Sequence, residues 1–231
     1  MESPATVDWT QPTATQPPLS LRERKKALTR QRLSDTATRM FLARGFDAVR
    51  VTEIAAACDV SEKTVYNYFP TKESLVLDRW ETTARSLRTA LADTATHPVD
   101  AVRRRLAGEL AALTSWLDAQ SDQAAAAESV RKFSELIATT PALRAYNNET
   151  RNELTATATA LLAGRAGLAA DDPEPQITAT ALIGLWGVHF TALKKHLDGT
   201  STPQAVYEAV CAEVDRAAHL LKTGLASWPP A

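Results

Sequence analysis

What this chain of 231 residues lacks narrows the possibilities first. It has no run of about 18 apolar residues, the length a membrane-crossing helix needs, and its N-terminus has no basic patch followed by an apolar stretch. Neither secretion nor membrane spanning is therefore expected, and the expected location is the cytoplasm. Its two cysteines, Cys58 and Cys211, lie in separate apolar stretches without paired Cys/His spacing. Two buried free thiols are expected there, not a redox pair or a metal site. The signatures of an enzyme are missing too: no nucleophile with its base, no paired acid and base and no Gly-rich phosphate loop stands at recognisable spacing. No catalytic residue and no cofactor is expected.

What is present is ordinary in bulk and uneven in distribution. A hydrophobic content of 45% with 23% charged residues suits a globular chain able to bury one sizeable core or two small ones. The periodicity is helical throughout, so the expected fold class is all-α. Net charge is −1, yet Ser20 to Arg79 carries 12 Lys+Arg against 8 Asp+Glu, a net of +4, while the remainder carries 14 against 19, a net of −5. An electropositive N-terminal quarter is the footprint expected if one end meets a polyanion. Residues 1–19 hold four of the twelve prolines among Thr, Gln and Ala, and residues 1–20 are expected to form a disordered arm.

The most informative stretch is Val49 to Leu77, VRVTEIAAACDVSEKTVYNYFPTKESLVL. Two short apolar-periodic segments, Val51/Ile54/Ala55/Cys58 and Val65/Phe69, flank a few residues around Asp59, Val60 and Ser61, which is the spacing of a helix-turn-helix. Ser61 is placed to cap the second helix, Pro70 to stop it and Thr71 to cap the next. With Val60, Val65 and Phe69 inward, Glu62, Lys63, Thr64, Tyr66, Asn67 and Tyr68 lie outward, as a major-groove reader requires. Lys63, Thr64 and Asn67 are the candidates for base contacts: Lys for guanine O6/N7, Asn for adenine N6/N7, Thr for a thymine methyl. Arg50, Thr52, Tyr66, Tyr68 and Lys72 are the candidates for phosphate contacts. Tyr68 half-buried against the domain core, and Glu62 as a charge at a helix N-terminus, are the competing readings.

This segment resembles the DNA-binding domain of the TetR family of bacterial transcriptional regulators, through Ile54, Ala55, Val60, Ser61, Thr64, Tyr66, Tyr68, Phe69, Lys72 and Leu75, preceded by Arg44-Gly45-Phe46. It departs from the pattern at Asp59, where the family has a glycine and the turn calls for positive φ, and at Arg50, where Ser or Thr is usual. With no cap oxygen on Arg50, Asp47 or Thr52 is expected to share that work. The resemblance implies a helix-turn-helix domain over 21–71 and a helical ligand-binding and dimerisation domain over 72–228. It also implies a palindromic double-stranded operator, a small-molecule effector, and a homodimeric repressor with heads about 34 Å apart. A transcriptional activator, or a helical interaction protein that no longer binds DNA, are the alternatives.

Along the chain, helices are expected over 21–44, with Leu28, Leu33, Ala37, Met40 and Phe41 inward, over 72–95 with Leu75, Val76, Trp80, Leu87 and Leu91 inward, from Pro98 to about residue 120, and over 124–138, 141–165, 174–198 and 202–225. The phrase around Arg131 to Ile137, with Pro141 to Ala145, is similar to the mycofactocin-type branch of the family, linked to acyl-coenzyme A thioesters, which implies an acyl-CoA-like effector; composition suggests an apolar or amphipathic one, with Arg131 or Arg151 meeting an anionic group, a surface charge being the competing reading for both. Trp116, Phe133, Asn147, Arg151, Trp186 and His189 are the candidate pocket residues, with a core role the competing reading for each, His189 above all. Ile177, Ala181, Gly184 and Val188, with Val206, Val210, Val214, Ala217 and Leu221, are the candidate dimer stripe. The competing reading is that these stripes pack within the monomer.

Overall fold

The computed structural model describes residues 20–224, with the backbone alone for 79–82. The expected arm, the expected helix end at residue 225, the domain end at 228 and the side chain of Trp80 lie outside the described residues. Every described element is helical: α1 (Leu21–Arg44), α2 (Val51–Ala57), α3 (Glu62–Tyr68), a 3₁₀ turn (Glu73–Leu75), α4 (Arg79–Ala92), α5 (Pro98–Asp118), α6 (Gln123–Thr139), α7 (Pro141–Ala166), α8 (Pro173–His196) and α9 (Pro203–Thr223).

The chain divides into two compact units, and the boundary is not at residue 71 as expected. The first unit runs to Trp80 and also takes Ser129–Asn147; the second holds Glu81–Glu128 and the chain from Asn148 on. The reason lies in the first unit's core, where α1, α2 and α3 bury Leu33, Phe41, Ile54, Val65 and Phe69 together with Leu143 of α7. Phe133, Leu136 and Ile137 of α6 pack against the same cluster. A three-helix head of this size buries little surface unaided, and the α6–α7 corner supplies the missing apolar face. At the start of α1, Ser20 accepts from the Glu23 amide while the Glu23 carboxylate accepts from the Ser20 amide, a capping box. Leu28, expected inward, is 65% exposed, because α1 begins to bury side chains only about a turn later, at Leu33.

The helix expected over 72–95 is broken. Thr71 and Ser74 trade side-chain and backbone hydrogen bonds (2.6–3.2 Å), which satisfies the backbone locally and leaves a single 3₁₀ turn. At the other end of α4 the Asp93 carboxylate accepts from the Ala95 amide and the Thr96 hydroxyl. Arg165 of α7 donates to the carbonyls of Leu91, Asp93, Thr94 and Thr96, pinning the α4–α5 loop.

In the second unit α5, α8 and α9 pack on one another. The apolar face of α5 is buried at Val102, Leu106, Leu110, Leu113 and Leu117, with Trp116 half-buried beside it. By length and composition α8 is apolar enough to cross a membrane, so the sequence-level exclusion was too broad; its buried Leu182, Ile183, Leu185, Trp186 and Leu193 instead make it a core helix of this unit. Its end is tied to α9 by Glu213, whose carboxylate accepts from Lys195 and His196, both at 2.8 Å.

Two outcomes follow. Leu143→Ala removes a fully buried side chain from the first unit's core, and urea unfolding followed by a probe in that unit is expected to show a loss of about 2–5 kcal/mol. The bonds from Lys195, then His196, hold Glu213 down to about 2 from 4.5. Because the folded value is the lower one, this contribution is present above about pH 4.5 and is lost as pH falls toward about 2. Glu213→Gln is therefore expected to flatten the acid limb of thermal stability between pH 2 and 5, with little change in the slope above pH 5.

Candidate nucleic-acid interface

Helix α3 has seven residues, too few to persist alone, so both of its ends are held. Upstream, α2 closes in a Schellman arrangement: the Val60 amide donates to the Ala55 carbonyl at 3.0 Å and the Asp59 amide to Ala56 at 3.1 Å. Asp59 takes the left-handed position, φ 53°, the one described non-glycine residue to do so. An Asp tolerates this conformation, so the family's glycine is replaceable here. Ser61 then caps α3, its hydroxyl accepting from the Thr64 amide at 3.1 Å.

Beneath the helix Val65 and Phe69 are fully buried and Val60 is partly packed. Glu62, Lys63, Tyr66 and Asn67 are exposed, and their positions follow the spacing of one helix face. Lys63 and Asn67 are thus neighbours on the exposed face. Thr64 is half-buried and its hydroxyl lies 2.8 Å from that of Ser61, leaving its methyl for apolar contact. Tyr68 is half-buried against the core, the competing reading of that residue.

Of the expected phosphate contacts, Arg50, Thr52 and Tyr66 are exposed. Lys72 is placed differently: its ammonium donates to the Phe46 carbonyl at 2.7 Å and sits 4.3 Å from the Phe46 ring centre and 5.6 Å from that of Phe41. It closes the turn after α1, where a carbonyl and two ring faces offer a cation more than solvent does. The missing cap oxygen at Arg50 comes from neither Asp47 nor Thr52. The Glu53 carboxylate accepts from the Arg50 amide at 2.8 Å and from Arg44 at 2.9 Å, and these bonds hold its carboxyl below the usual range.

Sequence reasoning counted Arg30 only within the electropositive N-terminal quarter and missed its work. Its guanidinium donates to the Tyr68 carbonyl at the end of α3 (2.6 Å), pairs with Asp78 and lies 4.5 Å from the Phe69 ring centre. One side chain of α1 thus fixes the C-terminal end of α3 and the approach to α4. Arg22, Arg24, Lys25, Lys26 and Arg32 of the same helix remain exposed.

The six candidate pocket residues are shared between the two units. Phe133 and Asn147 fall in the first unit, Phe133 on its core, and Trp116, Arg151, Trp186 and His189 in the second. Among these, His189 alone lines the cleft found between α5, α8 and α9; Trp186 is core, 3% exposed. The candidate dimer stripe also divides. Val206, Val210 and Val214 are 1%, 0% and 4% exposed within the single chain, because α9 turns them onto α5 and α8, so they are corrected to monomer core. Ile177 is exposed, while Ala181, Gly184, Val188, Ala217 and Leu221 are half-buried.

Comparison with known proteins agrees with this geometry. Residues 33–78 match the family model described as bacterial regulatory proteins, tetR family, and residues 111–226, half of the chain, match the MftR C-terminal domain. The chain belongs to the TetR family. It is a DNA-binding transcriptional regulator with an MftR-type C-terminal domain, in a family of regulators and not of enzymes. It is 33% identical over 95 residues to the HTH-type transcriptional repressor DhaR of Mycobacterium sp. (strain GP1), a match covering 39% of this chain and 46% of DhaR, so it spans about half the length of that relative. It is 25% identical over 162 residues, 70% of this chain and 78% of the relative, to MftR of Mycobacterium tuberculosis (strain ATCC 25618 / H37Rv), a transcriptional regulator named for mycofactocin biosynthesis. Among solved structures it is similar to NalD, the secondary repressor of the MexAB-OprM efflux pump in Pseudomonas aeruginosa (20% identity, 83% and 97% of the two chains, TM-score 0.49). It is also similar to Thermus thermophilus FadR in complex with lauroyl-CoA (23% identity, 87% and 98%, TM-score 0.46).

For this TetR regulator, Arg30→Gln is expected to cost the head about 1–3 kcal/mol, since Asp78 and the Tyr68 carbonyl lose a charged donor. Denaturant unfolding of the variant beside Arg32→Gln, an exposed neighbour, measures it; equal stability of the two would show that the Arg30 contacts contribute nothing.

Proposed function

We propose that the protein is a homodimeric repressor that binds a palindromic operator through α3 and is released when a small molecule binds the second unit and changes the spacing of the two heads. The observation that carries this reading is the face of α3: Lys63, Tyr66 and Asn67 stand outward over buried Val65 and Phe69, on a helix held at both ends. Lys63 and Asn67 read base edges, with the Thr64 methyl beside them; Arg50, Thr52 and Tyr66 position the head on phosphates. Lys72 reaches a phosphate only by leaving the Phe46 carbonyl. The effector is an apolar or amphipathic small molecule; an acyl-CoA thioester is the class suggested by the MftR-type domain. The protein acts in the cytoplasm.

Selection of bound duplexes from a random pool by purified protein, with the best site titrated against salt, tests the reading. A palindrome and a steep loss of affinity with salt are expected. Lys63→Ala is expected to lose about 1–3 kcal/mol of discrimination at one position of each half-site, whereas Arg50→Ala is expected to weaken all sequences alike and reduce the salt slope by about 1 per head. Sequence-blind binding by ligand-free protein would exclude the operator reading.

A further inference from the structure

Arg30 stands among the cations of α1, yet the proposed function gives it no part. Its Nη1 donates to the Tyr68 carbonyl at 2.6 Å and its Nε to Asp78 Oδ1 at 2.8 Å, while Nη2 meets the same carboxylate oxygen. The guanidinium lies over the Phe69 ring. All of these groups belong to the first unit. Tyr68 is the last residue of α3, so its carbonyl is one of the orphan acceptors of a helix end, and Pro70, two residues on, brings no amide. Asp78 stands directly before α4, and the first unit's leading segment ends at Trp80. Ser34, one turn after Arg30, makes a second tie from α1 to this segment, its hydroxyl donating to the Leu75 carbonyl at 3.0 Å. Arg30 therefore joins α1, the end of α3 and the residue that precedes α4.

We propose that Arg30, held by Asp78, is a positioning residue for operator recognition: it fixes the last turn of α3, which carries Tyr66 and Asn67, and touches no DNA itself. This rests on the operator reading above. A seven-residue helix released at one end loses about a turn to fraying. Contacts to base edges depend on placement to within about 0.5 Å, whereas attraction to the phosphate charge does not depend on sequence and survives a loosened turn. Losing Arg30 therefore removes sequence-specific affinity and spares sequence-blind affinity. An arginine suits the task because its planar fork reaches a carbonyl and a carboxylate together while stacking on a ring, and a lysine ammonium is a single point charge. Asp78 has the opposite sign to a phosphate-binding group, so its contribution to DNA binding comes through Arg30.

The test uses the full chain, with two duplexes: the one the wild-type chain prefers in the random-pool selection, and a shuffled duplex of the same composition. Each is titrated across a salt series, in the cold, where circular dichroism shows every variant folded. Arg30→Gln is expected to weaken the preferred duplex about ten- to thirtyfold and the shuffled one less than about threefold. Its salt slope on the preferred duplex is expected to stay unchanged, where a lost phosphate contact would lower it by about 1 per head. Arg30→Lys keeps the charge and is expected to stay within about threefold of Arg30→Gln. Asp78→Ala covers the case in which Arg30→Gln fails to fold. Removing an acid would by electrostatics alone tighten binding, but Asp78→Ala is expected to weaken the preferred duplex about three- to tenfold, and the double variant to bind about as well as Arg30→Gln, since the two act as one unit. Full affinity in a folded Arg30→Gln, equal losses on both duplexes with a reduced salt slope, rescue by Arg30→Lys, or tighter binding by Asp78→Ala would each overturn the assignment and leave the operator reading standing. A wild-type chain with no preferred duplex would overturn the operator reading, and the assignment with it.

Discussion

Helix α3 is two turns long, and a helix of that length in water is mostly unfolded. The structure of the first unit depends on meeting this constraint. Val65 and Phe69 are buried beneath it, Ser61 occupies its first free amide, and Arg30 takes its last-turn carbonyl at Tyr68. With the inner face, the start and the end all committed, the outer face is free to carry polar groups chosen for a partner. The α6–α7 corner serves the same end, because Leu143 and the side chains around it enlarge a core that α1, α2 and α3 alone would leave thin.

The same separation of duties runs through the charges. Arg30, Arg44 and Lys72 are basic residues of the electropositive quarter, yet each is bound within the unit, to Asp78 and Tyr68, to Glu53, and to the Phe46 carbonyl. Lys63, Arg50 and the cations at the start of α1 are instead exposed. In the second unit the ties are made at helix ends, by Arg165 at the α4–α5 loop and by Glu213 between α8 and α9. These ties register the helices, while burial of the Leu and Val faces of α5, α8 and α9 supplies most of the stabilisation.

Much of this was legible in the residues. The start of α3 was read from its cap, Ser61, because capping is a local event decided within four residues. The inward set Val51, Ile54, Val65 and Phe69 followed from helical period, and the positive φ of Asp59 from the resemblance, since the family has a glycine there. The break after Lys72 was not read, because the Thr71–Ser74 exchange competes with a helix that the apolar pattern supports equally well. Which unit each candidate pocket residue joins was not legible either: Trp116, Phe133, Asn147 and His189 share a composition suited to a ligand, but composition does not say which unit a helix joins.

The sequence by itself determined the all-helical class, the helix-turn-helix, the outward face of α3 and the family, since each rests on period, capping or a motif within about 30 residues. The tertiary structure decided which of two equivalent apolar stripes is spent inside the monomer, with Val206, Val210 and Val214 going to the core. It also decided that residues 129–147 belong with the head, that Arg30 and Lys72 face inward, and that His189 lines one cleft with Tyr207 and Cys211. The physical reason is common to all four. A side chain's partner can lie a hundred residues away, and a helical pattern shows which face is apolar but not what will cover it.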